Sequence, residues 1–349
     1  MGPQSKLCGP VFCASPTATD AQEKTNDAYR TLRKIALLFP LTKSIKDMKT
    51  PIALAACLAM TSGALAQDAF SEVIRPMTAP TVFDLALPRT QLHGIYLNQS
   101  MPSRVNAGSL GLLGLGGDFR VYALQFEYAF SKRTSFVATK DGYIDFNPGQ
   151  TLSSEEGFAD LGFGIKHALI YDPAKQFVLS GIATVEIPTG ESEVWQGEGD
   201  GILNLNLAAL KLCDKFQFAG NMGLHIPFSD AQSLTGSLSL HASYEVTPWF
   251  IPLVELNWFH TYDPGDGSLA FTNQLGSAVP ANVPFEGGDL INWGSANGDE
   301  NRDFVTLGVG FRSRLCASST LGFAYEVPLT DEEDGLMDDR FTMDVVWKF

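Results

Sequence analysis

His241 and Ser243 stand two positions apart, and a histidine next to a serine supplies the base and nucleophile of hydrolytic chemistry. A strand puts both side chains on one face, but with about 7 Å between their backbone positions. That spacing predicts a pair too loose for the nucleophile–base hydrogen bond, and therefore two hydrated groups lining a lumen. A lipid-modifying enzyme built on them would lose its lipid turnover in His241→Ala. Other chemistries lack their patterns. There is no His-Glu-x-x-His, no paired-cysteine zinc spacing and no phosphate loop. The glycines of Leu110-Gly-Leu-Leu-Gly-Leu-Gly-Gly117 fall between two predicted strands instead of ahead of a helix, which predicts an extracellular loop whose apolar residues dip inward. Two segments are crowded with carboxylates, Glu191, Glu193, Glu198 and Asp200 in one and Asp331–Asp334 with Asp338 and Asp339 in the other, but neither has the ordered spacing of a calcium loop. The expectation is a chain with no catalytic residue, no bound cofactor and no metal.

A second group of polar residues recurs at alternate positions inside apolar stretches. Its acids are Asp160, Glu186, Glu245, Glu255, Glu326 and Asp344, and its bases are Lys166, Arg312, Arg314 and Arg340, with Lys348 beside them. Asn204, Asn206, Asn221, His225 and His241 occupy the same face. Rings of charge on the inner wall of a barrel set which solutes pass. The same charges also pair across a narrow lumen and seal it, so an open pore and a closed barrel are both compatible with this set.

The elements that position these residues alternate with period two, as strands do. Twelve are readable: 90–99, 118–130, 134–143, 158–171, 176–187, 201–213, 215–226, 236–246, 249–260, 303–315, 320–327 and 340–349. In the second, Tyr122, Leu124, Phe126, Tyr128 and Phe130 share one face; in the last, Phe341, Met343, Val345, Trp347 and Phe349 do. Connections near 131–133, 172–175, 214, 247–248 and 316–319 are short. Those near 100–117, 144–157, 188–200, 227–235, 261–302 and 328–339 are longer. Short turns on one side and long loops on the other are the asymmetry of transmembrane β-barrels. The fold expected is all-β: an antiparallel up-and-down barrel of about twelve strands over 89–349 in a bacterial outer membrane. Tyr128, Phe130, Tyr171, Trp249, Phe250, Trp347 and Phe349 fall where a periplasmic aromatic girdle belongs. Residues 67–88, with Pro76, Pro80 and Pro88, are readable either as a periplasmic tail or as a lumen segment.

Composition agrees with a barrel and restricts partners. The 349 residues carry 24 Lys and Arg against 39 Asp and Glu, a net charge of −15, which disfavours nucleic acid. Only Cys213 and Cys316 of the five cysteines lie after residue 66, on strands too far apart in order to be bridged. Met48-Lys-Thr-Pro, the apolar run Ile52–Leu65 and Ala64-Leu-Ala66 have the three regions of a secretory signal peptide over 48–66. Residues 1–47 then read as an upstream extension.

Two resemblances add to this. A last strand ending on Phe349 resembles the closing strand of outer-membrane barrels, which implies recognition by the barrel-assembly machinery. Gly157-Phe-Ala-Asp-Leu-Gly-Phe-Gly-Ile-Lys166, followed by Ile182-Ala-Thr-Val-Glu-Ile-Pro-Thr-Gly190, resembles the outer-membrane family linked to the meta pathway of phenol degradation. That resemblance implies a transport role with no substrate specified. The expected partners are outer-membrane lipid, lipopolysaccharide and a small solute of unknown identity. The leading expectation is a channel for small, aromatic or otherwise hydrophobic molecules, closed by the 261–302 loop. A non-conducting structural barrel is the alternative, and a lipid-modifying enzyme the second.

Overall fold

The computed structural model describes residues 69–349; the predicted signal peptide and upstream extension lie outside the described residues. Twelve strands make the wall. They are β1 (Gln91–Ser100), β2 (Gly117–Ala129), β3 (Thr134–Lys140), β4 (Leu161–Asp172), β5 (Phe177–Ile187) and β6 (Ile202–Cys213). β7 (Phe216–Pro227), β8 (Leu234–Tyr244), β9 (Ile251–Asp263), β10 (Asp303–Cys316), β11 (Ser319–Pro328) and β12 (Asp339–Lys348) complete them. Each pairs antiparallel with its neighbours in order, and β1 pairs with both β2 and β12, so the sheet closes. Closure leaves no unpaired edge, the requirement for strands in lipid.

The alternation sorts side chains as a lipid-facing wall requires. Leu124, Leu169, Met222, Val309 and Tyr325 point outward and are exposed, while Gln125, Asn221, Glu255, Arg312 and Glu326 point inward and are buried. Phe130, Trp249 and Phe349 stand exposed at the short-turn rim. With the apolar band in lipid, a charge on it is costly. Val309→Arg is expected to destabilise the folded barrel by about 2–4 kcal/mol if Val309 lies near the midplane. Urea titration in lipid vesicles measures this, and an unchanged midpoint would mean that the position does not face hydrocarbon.

Two local departures alter the predicted pattern. Instead of a loop over 144–157, Tyr143–Pro148 continues the line of β3 along the upper half of β2, and Glu155–Phe158 pairs with it. The break falls at Asp141-Gly142. There the Asp141 carboxylate accepts the Leu124 N–H in place of a ladder partner, and Gly142 takes φ 128°, with Tyr122 O 2.8 Å from where a Cβ would sit. In β4 the register slips between Ala168 and Ile170, so Leu169 and Ile170 are both exposed. A bulge exchanges faces beyond it. Tyr171 therefore leaves the predicted girdle and packs against Phe70 inside the rim, ring centroids 5.4 Å apart.

Candidate functional site: a plugged lumen beneath an apolar vestibule

Residues 69–88 fold into the lumen as a plug, with Phe70, Val73, Met77, Phe83, Leu85 and Leu87 buried. This places the segment that sequence left open between tail and lumen. The inward polar faces hold it. Lys166 lies 2.8 Å from Asp84 of the plug and 3.1 Å from Glu127, and Arg75 of the plug lies 2.9 Å from Asp84. Arg312 donates to both oxygens of Asp344, at 2.7 and 2.6 Å, and to the carbonyls of Arg75 and Pro76. His93 bridges Asp344 and Gln125. These charges are buried, and each has an opposite charge within reach, as burial requires.

Glu255 is the tightest latch. It accepts the N–H groups of Met77 and Thr78 and the Thr78 hydroxyl, the last two at 2.6 Å. It also accepts His241 Nδ1 at 2.6 Å, and His241 Nε2 lies 2.9 Å from Ser243 Oγ. The expectation that His241 and Ser243 stand too far apart is thus wrong, because the imidazole itself spans the gap that separates the two backbones. Ser243, His241 and Glu255 form a nucleophile–base–carboxylate chain in outline. All three are buried, and the carboxylate accepts its other hydrogen bonds from Met77 and Thr78 of the plug.

The other inward residues divide by height. Near the short turns, Arg314 pairs with Glu72 of the plug and with Glu245. Higher up, Asn221 donates to Val82 O, and His225 lies between Asn204 and Ser237. Asn206 carries an oxygen with no partner among the described residues. Glu186 pairs with Lys140. Glu326 accepts Thr306 and faces Arg340, which also reaches Asp289 at 2.8 Å. Asp160 accepts the N–H groups of Gly190 and Gly197 and clamps the loop between β5 and β6. Cys213 and Cys316 form no disulfide.

Above the plug, the loop between β9 and β10 (264–302) folds inward. Phe271, Phe285 and Trp293 are buried, and Trp195 lies 4.4 Å from Phe146, 4.8 Å from Phe271 and 5.6 Å from Trp293 by ring centroid. Glu286 pins this loop, accepting Ser233 Oγ at 2.6 Å, Ser295 N at 2.7 Å and Trp293 N at 3.1 Å. The loop also touches the plug, since Thr81 Oγ1 donates to Asp289 O at 2.6 Å. Sequence reasoning missed Trp195, Glu286 and Asp289 as members of this unit, because nothing local marks which loop residues fold inward.

Burial raises the Glu286 carboxyl from its ordinary 4.5 to about 7. A folded-state value above the unfolded one stabilises fully below about 4.5 and loses that contribution as pH rises through about 7. The loop is therefore expected to be cut faster by protease at pH 8 than at pH 5, after correction for the protease's own pH response. Equal corrected rates would contradict this.

Two cavities flank the loop. The outer one, about 940 Å³ including the part open to solvent, is lined by Val105, Leu113, Leu115, Trp195, Phe271 and Trp293. The inner one, about 780 Å³ on the same measure, lies between loop and plug tip and is lined by Lys140, Glu186, His225, Glu286, Asp289 and Arg302. Phe285 belongs to both walls. The glycine-rich loop contributes as predicted at Leu115, which is buried, whereas Leu110 stays exposed. No group of three or more His, Cys, Asp or Glu positioned to hold a metal occurs among the described residues.

The chain is similar in fold to the COG4313 outer membrane channel from Pseudomonas putida F1, with 14% identity, a TM-score of 0.51, and coverage of 79% of this chain and 100% of that one. The NanC porin aligns with 6% identity and a TM-score of 0.44, covering 74% and 100% of the two chains. The KdgM porin, solved in complex with disordered oligogalacturonate, aligns with 8% identity and a TM-score of 0.40, covering 74% and 99%. No curated protein sequence matches the chain. The family model described as "Putative MetA-pathway of phenol degradation" matches residues 98–312, more than half of the chain, and this outer-membrane β-barrel belongs to that family.

Proposed function

We propose that the barrel is an outer-membrane channel through which small apolar molecules, aromatic ones included, pass inward by diffusion. The observation that carries this reading is the outer cavity: an aromatic and aliphatic recess beneath the extracellular loops, above a lumen that the plug occupies. Apolar pockets with few polar groups favour ligands that lose little hydration on binding. A solute leaving the recess meets Phe285, the side chain common to both cavities. Phe285→Ala is expected to raise uptake of a small aromatic solute into barrel-containing vesicles several-fold, and unchanged or slower uptake would contradict a gate there.

A second reading is a sealed structural barrel, favoured by the completeness of the ion pairs around Lys166, Arg312 and Glu255. Uptake separates the two, since a sealed barrel passes neither ions nor apolar solutes.

A further inference from the structure

We infer that the solute this barrel selects is an amphiphile with a hydrogen-bond-donating, uncharged or cationic head, which enters head first with its apolar body left in the outer cavity. The inference rests on the channel reading above and names its substrate class. It comes from the contrast between an apolar outer cavity and an inner one of mixed polar and apolar lining, which share one side chain.

The outer cavity offers apolar walls to a body. The inner chamber, on the far side of Phe285, offers acceptors to a head. Its cationic and imidazole side chains each have a partner: Lys140 with Glu186, Arg302 with Asp299, His225 with Asn204 and Ser237, and His260 with Asp303. The Asn292 amide is tied to the backbone of Ser233. What remains is acceptor capacity. Asp289 lines this chamber and is 9% exposed; its buried Oδ2 has no hydrogen-bond partner among the described residues, while its other oxygen is held by Arg340. Arg340 also serves Glu326, so one guanidinium faces two carboxylates. A buried acceptor without a donor costs free energy that an incoming hydroxyl or ammonium recovers, whereas an incoming carboxylate adds another acceptor and a like charge.

The approach favours the same class. The long loops on this side carry Glu155, Glu191, Glu193 and Asp331–Asp334, with Arg104 paired to Glu333 as a basic residue among them, so acids predominate. Clefts lined by one sign of charge raise the local concentration of the opposite sign and lower that of the same sign. Rejection of a head by charge and unpaired acceptors is also a stronger discriminator than the fit of its apolar body.

The test uses the barrel in lipid vesicles with N-phenyl-1-naphthylamine as an apolar probe, in a background with Trp249, Trp258 and Trp347 replaced by Phe so that energy transfer is read from Trp195 and Trp293. Displacement is compared for octane, 1-octanol, octylammonium and octanoate at equal membrane concentration. The expected result is displacement by octanol and octylammonium at roughly tenfold lower concentration than by octane, and by octanoate no better than by octane. Asp289→Asn, which keeps an acceptor for Arg340, is expected to bring the octylammonium-to-octanoate ratio toward one. Glu286→Gln, read the same way, keeps the test available if Asp289→Asn does not fold. Octanoate displacing as well as octanol in the wild-type barrel overturns the inference while leaving the channel reading intact. Absence of any energy transfer from the wild-type barrel overturns both.

Discussion

Excising the plug, residues 69–88, is expected to turn a barrel that is silent to ions into one that conducts in discrete steps. In the intact chain the plug occupies the lower lumen, and Glu255, Arg312 and Lys166 are committed to it. Without it, those groups face water in a twelve-stranded lumen, and the remaining wall charges are free to act on passing ions. The rise in time-averaged conductance should be on the order of tenfold or more, with selectivity set by the charged ring. Glu127, Glu255 and Asp344 stand against Lys166 and Arg312 at this level, so cations are expected to be preferred. A planar bilayer with a salt gradient reads both quantities. An excised barrel that migrates as folded yet stays silent would contradict the plug's role as the seal.

The second large effect is on stability. Arg312→Ala removes the bidentate partner of Asp344 and two hydrogen bonds to plug carbonyls, all in a site with Arg312 fully buried. Breaking a buried pair typically costs about 3–5 kcal/mol, and His93 is then the partner left to Asp344. Replacing both members, as in Arg312→Met with Asp344→Leu, is expected to recover much of that loss, since the stranded carboxylate is gone. Unfolding by urea in lipid vesicles measures both variants. A loss below about 1 kcal/mol for the single variant would mean that water reaches the site and screens the charge.

These two predictions rest on features of unequal visibility in the sequence. The wall was readable because each strand repeats its pattern many times. In β12, Phe341, Met343 and Val345 are exposed to lipid and Arg340, Thr342 and Asp344 are buried, as the alternation predicts. Where the backbone slips, periodicity fails, and one bulge at Ala168–Ile170 was enough to turn Tyr171 from the girdle to the plug. The inward residues were identifiable by face but not by partner. Glu255 meets Thr78 across 177 positions, and Arg312 meets Arg75 across 237. No local pattern encodes a contact at that separation. The plug itself has neither helical nor strand period, because its shape is imposed by the wall around it. The His241–Ser243 contact was missed for a different reason: backbone spacing was allowed to stand for side-chain reach.

A barrel that passes apolar solutes while holding back ions is recognised by measuring both permeabilities on one preparation of the refolded wild-type protein. A quiet planar bilayer is expected, together with protein-dependent uptake of a small aromatic solute into vesicles that is abolished by filling the outer cavity with Leu113→Trp. Steady ion steps from the wild-type barrel would contradict the seal, and uptake no faster than in protein-free vesicles would contradict the channel.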